Sequence, residues 1–325
     1  MSASAEALQP SQAQALPFTA AALLAPMEGV TEPCFRDLVL ARNNARVLGG
    51  AFTEFVRVSV APVPRAVVRR HLGPSCNAAP VGVQLMGNDL EHLARSAQNA
   101  VAAGARLVDL NFGCPAKGAI AGCAGSALLR DPSALERVVD SVVRAVHVPV
   151  TAKLRAGYDD ATGIETLARA AENGGARLLT LHCRTRAEAY CESVDWTRIA
   201  RAVRAVSIPV CGNGGIATHA DLARMRSETG ADYAMVGRGA LADPWIFSGR
   251  RVGRGEAARF LVEYADTMHA RLQFPAGGIV ARLKQLLRFW TAGGLVPDAE
   301  TRLGLLRERD AEALLTRFRR IADED

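Results

Sequence analysis

Short apolar segments alternate with segments of helical spacing from residue 22 to about residue 240. Most of the apolar segments are nearly continuous aliphatic runs, which is typical of strands buried on both faces. Their strict alternation with helical patterns favours a (β/α)8 TIM barrel. A doubly wound sheet is the alternative, but no G-x-G-x-x-G motif follows the first segment. The predicted strands are residues 22–27, 47–54, 80–86, 107–111, 148–154, 178–182, 208–212 and 233–236.

Helical spacing fills the intervals between these strands and continues after residue 250, where the strand pattern stops. Asp131 followed by Pro132 predicts a helix start, and Gly104 and Gly174 predict helix ends. We therefore expect a disordered leader over 1–20, a barrel over 21–250 and a small helical domain over 251–325. The predicted helices are 90–103, 133–146, 164–173 and 217–227 in the barrel, then 256–274, 278–291 and 298–322.

The composition excludes several classes of protein. With 49% hydrophobic and 22% charged residues, the chain can bury a sizeable core and is not globally disordered. No apolar run is long enough for a membrane-spanning helix, and the first twenty residues lack the features of a signal peptide. The seven cysteines include no C-x-x-C pair, which argues against a disulfide framework, a zinc ribbon or an ordinary iron–sulfur site. We expect a cytoplasmic protein without a metal.

Polar residues stand where the predicted strands end, at the barrel face that carries the reacting groups in such folds. A buried polar group without a partner costs roughly 1–3 kcal/mol. The convergence of these residues on one rim therefore predicts a pocket for a polar, planar ligand. In chain order they are Met27 and Glu28, Glu54, Gln84, Asn111, Lys153 and Arg155, His182 and Arg184, Asn213, and Gly237 and Arg238.

Two glycine-rich turns follow the last two predicted strands, at residues 211–215 and 236–240. Exposed backbone amides next to a helix start make a phosphate site, and TIM barrels often place one at these two loops. Lys153, on a strand in the middle of the barrel, would then stabilise a reduced flavin ring as a fixed positive charge. The alternative for Lys153 is a buried salt bridge.

Cys114 lies between Gly113 and Pro115, just beyond the fourth predicted strand. A thiol in such a loop is expected to be exposed and fixed in position, and with a pKa of about 8.5 it stays mostly protonated near neutral pH. It can therefore act as a general acid. The alternatives are a nucleophile or a metal ligand, but no Cys/His ligand spacing surrounds it.

These motifs together resemble the tRNA-dihydrouridine synthase family, and the resemblance covers residues 22–320. Cys114-Pro-Ala-Lys117 is similar to the B subfamily, whereas residues 53–57 (TEFVR) and 281–285 (ARLKQ) are most similar to the bacterial C subfamily, which acts on uridine 16. The sequence departs from the family pattern at Cys183, at Gly215 and in residues 118–123. The family motifs are Leu24-Ala-Pro-Met-Glu-Gly-Val30, Phe52-Thr-Glu-Phe55, Val83-Gln-Leu85, Asp109-Leu-Asn-Phe-Gly-Cys-Pro115, Lys153-Leu-Arg155, His182-Cys-Arg-Thr-Arg186, Gly212-Asn-Gly214 and Gly237-Arg-Gly-Ala240.

The resemblance implies that the protein binds FMN, takes hydride from NADPH and reduces the C5=C6 bond of a tRNA uridine, with Cys114 donating a proton to carbon 5. The target base would have to leave its stack to enter the barrel. The implied FMN site comprises Pro26, Met27, Glu28, Gln84, Lys153, His182, Asn213, Gly214, Gly215, Gly237 and Arg238. The implied tRNA contacts are Arg57, Asn111, Arg155, Arg282 and Lys284.

The formal charge of +6, with all but three of the 39 basic residues arginine, suits RNA binding but equally suits a compositional bias. Two other functions stay open. A small-molecule flavin reductase of the dihydropyrimidine or dihydroorotate dehydrogenase type would share the barrel and the flavin, without needing a basic helical domain. A non-catalytic RNA-binding barrel would bind no flavin. We expect tRNA as the partner, no membrane association and a monomer.

Overall fold

The predicted (β/α)8 barrel is confirmed in a computed structural model, which describes residues 15–74, 78–188 and 194–324. All neighbouring strands pair in parallel, in the order β2-β1-β9-β8-β7-β6-β5-β4, and the pairing of β2 with β4 closes the sheet. The short strand β3 adds to β4 at its carboxyl end. The strands are β1 Ala22–Leu24, β2 Gly50–Phe52, β3 Val56–Arg57, β4 Val81–Met86, β5 Val108–Phe112, β6 Val150–Arg155, β7 Leu179–His182, β8 Val210–Asn213 and β9 Tyr233–Val236.

The second barrel strand is interrupted, so its predicted bounds of 47–54 are wrong. Phe52 pairs with Gly82 and Val56 pairs with Leu85, so this strand carries one residue more than β4 over the same distance. Such a bulge bends a strand and re-aims its side chains. At the interruption, the hydroxyl of Thr53 accepts a hydrogen bond from the Gln84 backbone N–H at 3.1 Å, in place of a backbone carbonyl of the second strand.

Helices cover the outside of the barrel, and their ends follow the predicted signals. The Asp131 side chain accepts the Ala134 N–H with Pro132 in the first turn, and Gly174 caps the end of α6. Helix α1 was not predicted, because its residues 33–40 are buried on every side and show no apolar stripe. The barrel helices are α1 Pro33–Arg42, α2 Arg65–Leu72, α3 Leu90–Ala102, α4 Lys117–Ala121, α5 Pro132–Ala145, α6 Ile164–Asn173, α7 Thr197–Ala205, α8 His219–Thr229 and α9 Arg238–Ala242.

Four further helices follow: α10 Arg254–Leu272, α11 Ala276–Leu287, α12 Ala299–Arg307 and α13 Ala311–Asp323. The helical pattern predicted over 298–322 is broken between α12 and α13. Glu308 adopts an extended backbone, and the Asp310 side chain accepts the N–H groups of Glu312 and Ala313 to start a new helix. None of the helices in the described ranges combines the length and apolarity needed to cross a membrane.

Aromatic side chains and polar pairs join these four helices to the barrel. The ring of Phe260 contacts Trp245 edge to face and Trp290 at a tilt, and all three side chains are fully buried. Tyr264 of α10 donates to Glu32, the N-cap of α1, at 2.6 Å, and Arg271 pairs with Asp37 at 2.9 Å. The boundary at residue 250 stays a prediction. We call residues 251–324 the helical region below.

Residues 1–14 of the predicted leader lie outside the described residues, but its end is packed against the barrel. Phe18 contacts Phe52 and Tyr233 with ring centroids 5.9 and 5.6 Å apart, and the Thr19 N–H donates to Gly49. Disorder was therefore wrongly predicted for residues 15–20. Phe18 packs against a buried apolar cluster that includes Leu23, Leu107 and Leu178.

Candidate active site

A cavity of about 1060 Å³ opens at the carboxyl ends of the barrel strands. Side chains and backbone from the loops after six strands line it, together with Phe289 and Thr291 of the helical region. The predicted residues that it brings together are Pro26, Met27, Glu28, Asn111, Cys114, Lys153, Arg155, His182, Asn213, Gly214, Gly215, Gly237 and Arg238. The volume and the mixed lining suit a ligand of cofactor size.

Lys153 points from β6 toward β8, where its Nζ donates to Asn213 Oδ1 at 3.2 Å. The Asn213 amide is itself held by its Nδ2 donating to the Met235 carbonyl at 2.8 Å. Burial, with the nearby Arg155 charge, lowers the Lys153 pKa to about 8, while Asp109 opposes the shift. The ammonium therefore persists at neutral pH. No carboxylate lies within salt-bridge distance of it in the part of the chain described.

His182 ends β7 as a neutral imidazole. Burial and the positive charges of Lys153 and Arg155 hold its pKa well below the ordinary value. Its Nδ1 accepts the Arg184 backbone N–H at 3.2 Å, so the neutral ring carries its proton on Nε2. His182 is thus a hydrogen-bond donor in the cavity wall.

The turn after β8 requires glycine at two positions. Gly214 and Gly215 have φ angles of +106° and +78°. A Cβ on Gly215 would lie 2.6 Å from Val194 Cγ1, and one on Gly214 would lie 2.8 Å from Cys183 Sγ. The departures at Cys183 and Gly215 therefore lie in two adjacent loops, after β7 and β8, that pack tightly against each other. Val194 leaves no room for a side chain at position 215.

Cys114 lies in the cavity wall but is not exposed as predicted, since only 8% of its surface is accessible. The segment after it folds back over the thiol: the Ser126 N–H donates to the Cys114 carbonyl at 3.1 Å, and Ala119, Ala124 and Met86 pack around it. Burial raises the pKa of the Cys114 thiol above its ordinary value. The thiol form is thereby favoured.

Asn111 holds the Cys114 loop by its side-chain oxygen, which accepts the backbone N–H groups of Gly113 and Cys114, each at 2.9 Å. Its Nδ2 donates to Gln84 Oε1 at 2.8 Å. Gln84 is fully buried and is not among the residues that line the cavity, and its contact with the cofactor stays a prediction. Its register on β4 opposite Asp109 places it one layer below Asn111.

Arg155 ties two loops together rather than presenting its guanidinium to solvent. Its Nε donates to the Gly113 carbonyl at 2.8 Å and its Nη1 to the Thr185 carbonyl at 3.1 Å, and the residue is 4% exposed. Arg184 also lines the cavity and is buried. It stands at a strand end, yet it was not among the predicted cofactor residues.

The other predicted RNA contacts lie outside the cavity. Arg57 is exposed and donates from Nη2 to the Gly118 carbonyl at 2.7 Å. Arg282 is half-buried, and a Cβ on Gly29 would lie 3.0 Å from its Nη1, so α11 meets the loop after β1. Lys284 is half-buried on the same helix. Phe289, 39% exposed at the cavity, was not predicted, since a lone aromatic carries no periodic signal.

Among the residues with described positions, no group of three His, Cys, Asp or Glu side chains is arranged to hold a metal ion. The chemical groups that line the cavity include the Lys153 ammonium, the His182 donor, backbone amides and the Cys114 thiol. Of the cysteines, Cys76 and Cys191 lie outside the described residues, and the other five are free.

Comparison with known proteins gives a consistent result. The sequence profile of the dihydrouridine synthase (Dus) family matches residues 23–275. The chain is 36% identical over 303 residues to the tRNA-dihydrouridine(16) synthase of Ralstonia nicotianae, covering 86% of this chain and 91% of that relative. It is 41% identical over 226 residues to the tRNA-dihydrouridine synthase B of Pseudomonas aeruginosa, covering 69% and 67%. A synthase B of Xanthomonas axonopodis is 37% identical over 286 residues, covering 87% and 82%.

Proposed function

The chain belongs to the dihydrouridine synthase family, and from this premise we propose that it reduces a tRNA uridine to 5,6-dihydrouridine, with FMN as bound cofactor and NADPH as hydride donor. One observation carries the proposal: a single cavity joins a fixed lysine and amide-rich loops to a buried thiol on a rigid loop. The lysine and the amide-rich loops suit a flavin, and the thiol suits proton donation to a substrate.

The residues present fit FMN. Lys153 and Asn213 form one hydrogen-bonded pair, and His182 adds a neutral donor beside them. Backbone groups after β8 and β9 line the same cavity, at the position where barrels commonly bind phosphate. We assign the phosphate to Gly214, Gly215, Gly237 and Arg238, and the ring side to Lys153 and His182, with Pro26 and Met27 behind it. Glu28 completes this wall.

When bound and reduced, FMN would supply hydride chemistry toward carbon 6 of the uracil. Cys114 then supplies the proton at carbon 5, because burial keeps its sulfur protonated and the Asn111 bonds fix its loop. Asn111 and Arg155 reach the cavity and would border the uracil. Because the Cys114 thiol is buried in the wall of a barrel cavity, the target base must leave its stack to reach it.

The helical region is our candidate for the tRNA-binding part. Arg282 and Lys284 lie on α11, where Arg282 approaches the loop after β1, while Arg57 lies on the barrel side. We propose uridine 16 as the target because residues 53–57 and 281–285 are most similar to the C subfamily, although relatives named synthase B match equally well. We place this reaction in the cytoplasm. In the part of the chain that the structure describes, each of the eight barrel strands pairs on both sides, and we propose a monomer.

The test of the function is direct. The purified protein should be yellow, with flavin absorbance at about 450 nm, which the non-catalytic RNA-binding alternative does not predict. Mapping dihydrouridine in tRNA from cells that lack and then regain the gene should show one position lost and restored. Reduction of free uracil or orotate at a rate equal to tRNA reduction would instead favour the small-molecule reductase.

Neutralising Arg282 and Lys284 together, as Arg282→Gln with Lys284→Gln, should weaken tRNA binding without loss of flavin. Each lost phosphate contact should lower the slope of log K against log salt by about one unit. Measurements of tRNA binding from low to moderate salt check the affinity and its salt dependence. The flavin content of the same preparations checks that the cofactor is retained. Arg254→Gln with Arg307→Gln in the same region is the charge-matched control. Parallel loss of flavin and RNA binding would mean that α11 had unfolded.

A further inference from the structure

A line of hydrogen bonds runs beneath the cavity from a buried carboxylate to the Cys114 loop. Asp109 accepts the Thr151 hydroxyl at 2.5 Å and the Gln84 Nε2 at 2.6 Å. Gln84 Oε1 accepts from Asn111 Nδ2 at 2.8 Å, and Asn111 Oδ1 accepts the loop N–H groups. The strand register builds this line, because Gln84, Asp109 and Thr151 are direct neighbours on β4, β5 and β6.

The Asp109 carboxylate sets the donor-to-acceptor direction of every hydrogen bond in this line. An ionised carboxylate only accepts hydrogen bonds, so Gln84 must turn its NH₂ toward Asp109 and its oxygen toward Asn111. Asn111 must then turn its NH₂ toward Gln84, which leaves its oxygen for the N–H groups of Gly113 and Cys114. With either amide reversed, two donors or two acceptors would face each other in a buried place.

The ionised state of Asp109 is available at neutral pH. Burial raises the Asp109 pKa to about 6, against the opposing effects of the Gln84 and Thr151 hydrogen bonds and of Lys153. The residue is 1% exposed and has no contact with the cavity. It cannot touch a substrate and can act only through its neighbours.

We propose that Asp109 is a positioning residue, which fixes the amide orientations of Gln84 and Asn111 and thereby holds the Cys114 loop in its reactive place. The proposal rests on the proposed function, since the loop's reactivity matters only if Cys114 is the acid. It assigns Asp109 and Gln84 a role in the site although neither lies in the cavity wall.

An exchange of groups tests the direction of the line. In Asn111→Asp, two carboxylates compete for the single NH₂ of Gln84, so two acceptors face each other unless a proton is taken up. Adding Asp109→Asn reverses the whole line: the new amide donates to Gln84 Oε1, and Gln84 Nε2 donates to the carboxylate at 111. The double variant should therefore be more stable than Asn111→Asp alone.

Thermal unfolding between pH 6 and pH 8 supplies a readout that does not depend on activity. Asn111→Asp should melt about 3–6 °C below the parent. Its folded state holds an extra proton that the unfolded chain releases, so its unfolding constant should rise up to tenfold per pH unit. In the double variant this pH dependence should vanish. At least half of the decrease in melting temperature should be recovered. Recovery of folded protein in the double variant, where the single one is insoluble, counts as the same rescue.

Asn99→Asp is the matched control, because its Nδ2 donates to the Val63 carbonyl and shares no partner with Asp109. Asp109→Asn should not rescue it, and the two melting shifts should add. A double variant at 109 and 111 that is no better than Asn111→Asp, or is insoluble, overturns the proposal. A different result separates this proposal from the proposed function. If the double variant regains stability but the parent protein forms no dihydrouridine, the hydrogen-bond line stands and the proposed function is refuted.

Discussion

Replacement of Cys114 by alanine should slow dihydrouridine formation by about 10²- to 10⁴-fold, the usual contribution of a general acid. In the proposed reaction, hydride addition at carbon 6 would leave negative charge at carbon 5, and the buried thiol in the cavity wall would donate the proton. Flavin content, NADPH oxidation and tRNA affinity should stay near the parent values, because Cys114 does not belong to the lysine side of the site.

A single turnover of pre-reduced protein with tRNA isolates this step from flavin reduction. Cys114→Ser should retain little activity, since a hydroxyl is a far weaker acid than a thiol. The raised thiol pKa predicts that the parent rate stays level through the ordinary titration range of cysteine and falls only above it. Reoxidation of Cys114→Ala at the parent rate would show that another residue supplies the proton. Cys34→Ala, at a buried position in the first turn of α1, controls for loss of a buried thiol.

Lys153→Met should bind FMN about 10- to 100-fold more weakly, since hydrogen bonds from a charged group contribute roughly 1.5–3 kcal/mol. The methionine keeps the packing of the aliphatic stem but removes the ammonium that bonds to Asn213. Flavin bound per protein after purification and the rate of flavin reduction by NADPH measure the effect. Lys117→Met, at an exposed position on α4, is the matched control and should change neither.

The same lysine predicts a pH dependence of flavin binding. With a pKa of about 8, Lys153 is charged below that pH and loses its charge above it, well before an ordinary lysine would. The affinity of the flavin-free protein for FMN should therefore be level from pH 6 to about 7.5 and weaken above pH 8. In Lys153→Met this fall should be absent. A fall of equal size in both proteins would place the titrating group elsewhere.

The order of strands and the position of the site followed from the sequence because both depend on short-range patterns. Aliphatic runs identify strands buried on both faces, and the polar residues that end them, such as Lys153 and Asn213, must meet at one rim of a closed parallel sheet. Asp131 and Gly174 worked as helix signals for the same reason, since capping is decided within a few residues.

Long-range packing explains what could not be predicted. The exposure of Cys114 was misjudged because its cover comes from residues 119–126, whose return path no local pattern describes. Gln84 looked like any other strand-end residue, and only the register with β5 shows that it lies below the cavity. Arg155 carries the charge of an RNA contact, yet the carbonyls of Gly113 and Thr185 occupy its guanidinium.

The pairs Tyr264–Glu32 and Arg271–Asp37 limit how new specificities could arise in such a protein. Glu32 also caps α1, at the end of the loop that carries Met27 and Glu28 of the cavity wall. The helices after residue 250 therefore cannot simply be exchanged for those of a relative. A chimaera would change the residue that contacts the buried Glu32 carboxylate, and it would disturb the loop that carries Met27 and Glu28. With tRNA bound by the helical region as proposed, surface substitutions on α11 would be the simpler route to a new target nucleotide, because they leave the contacts between α10 and α1 in place.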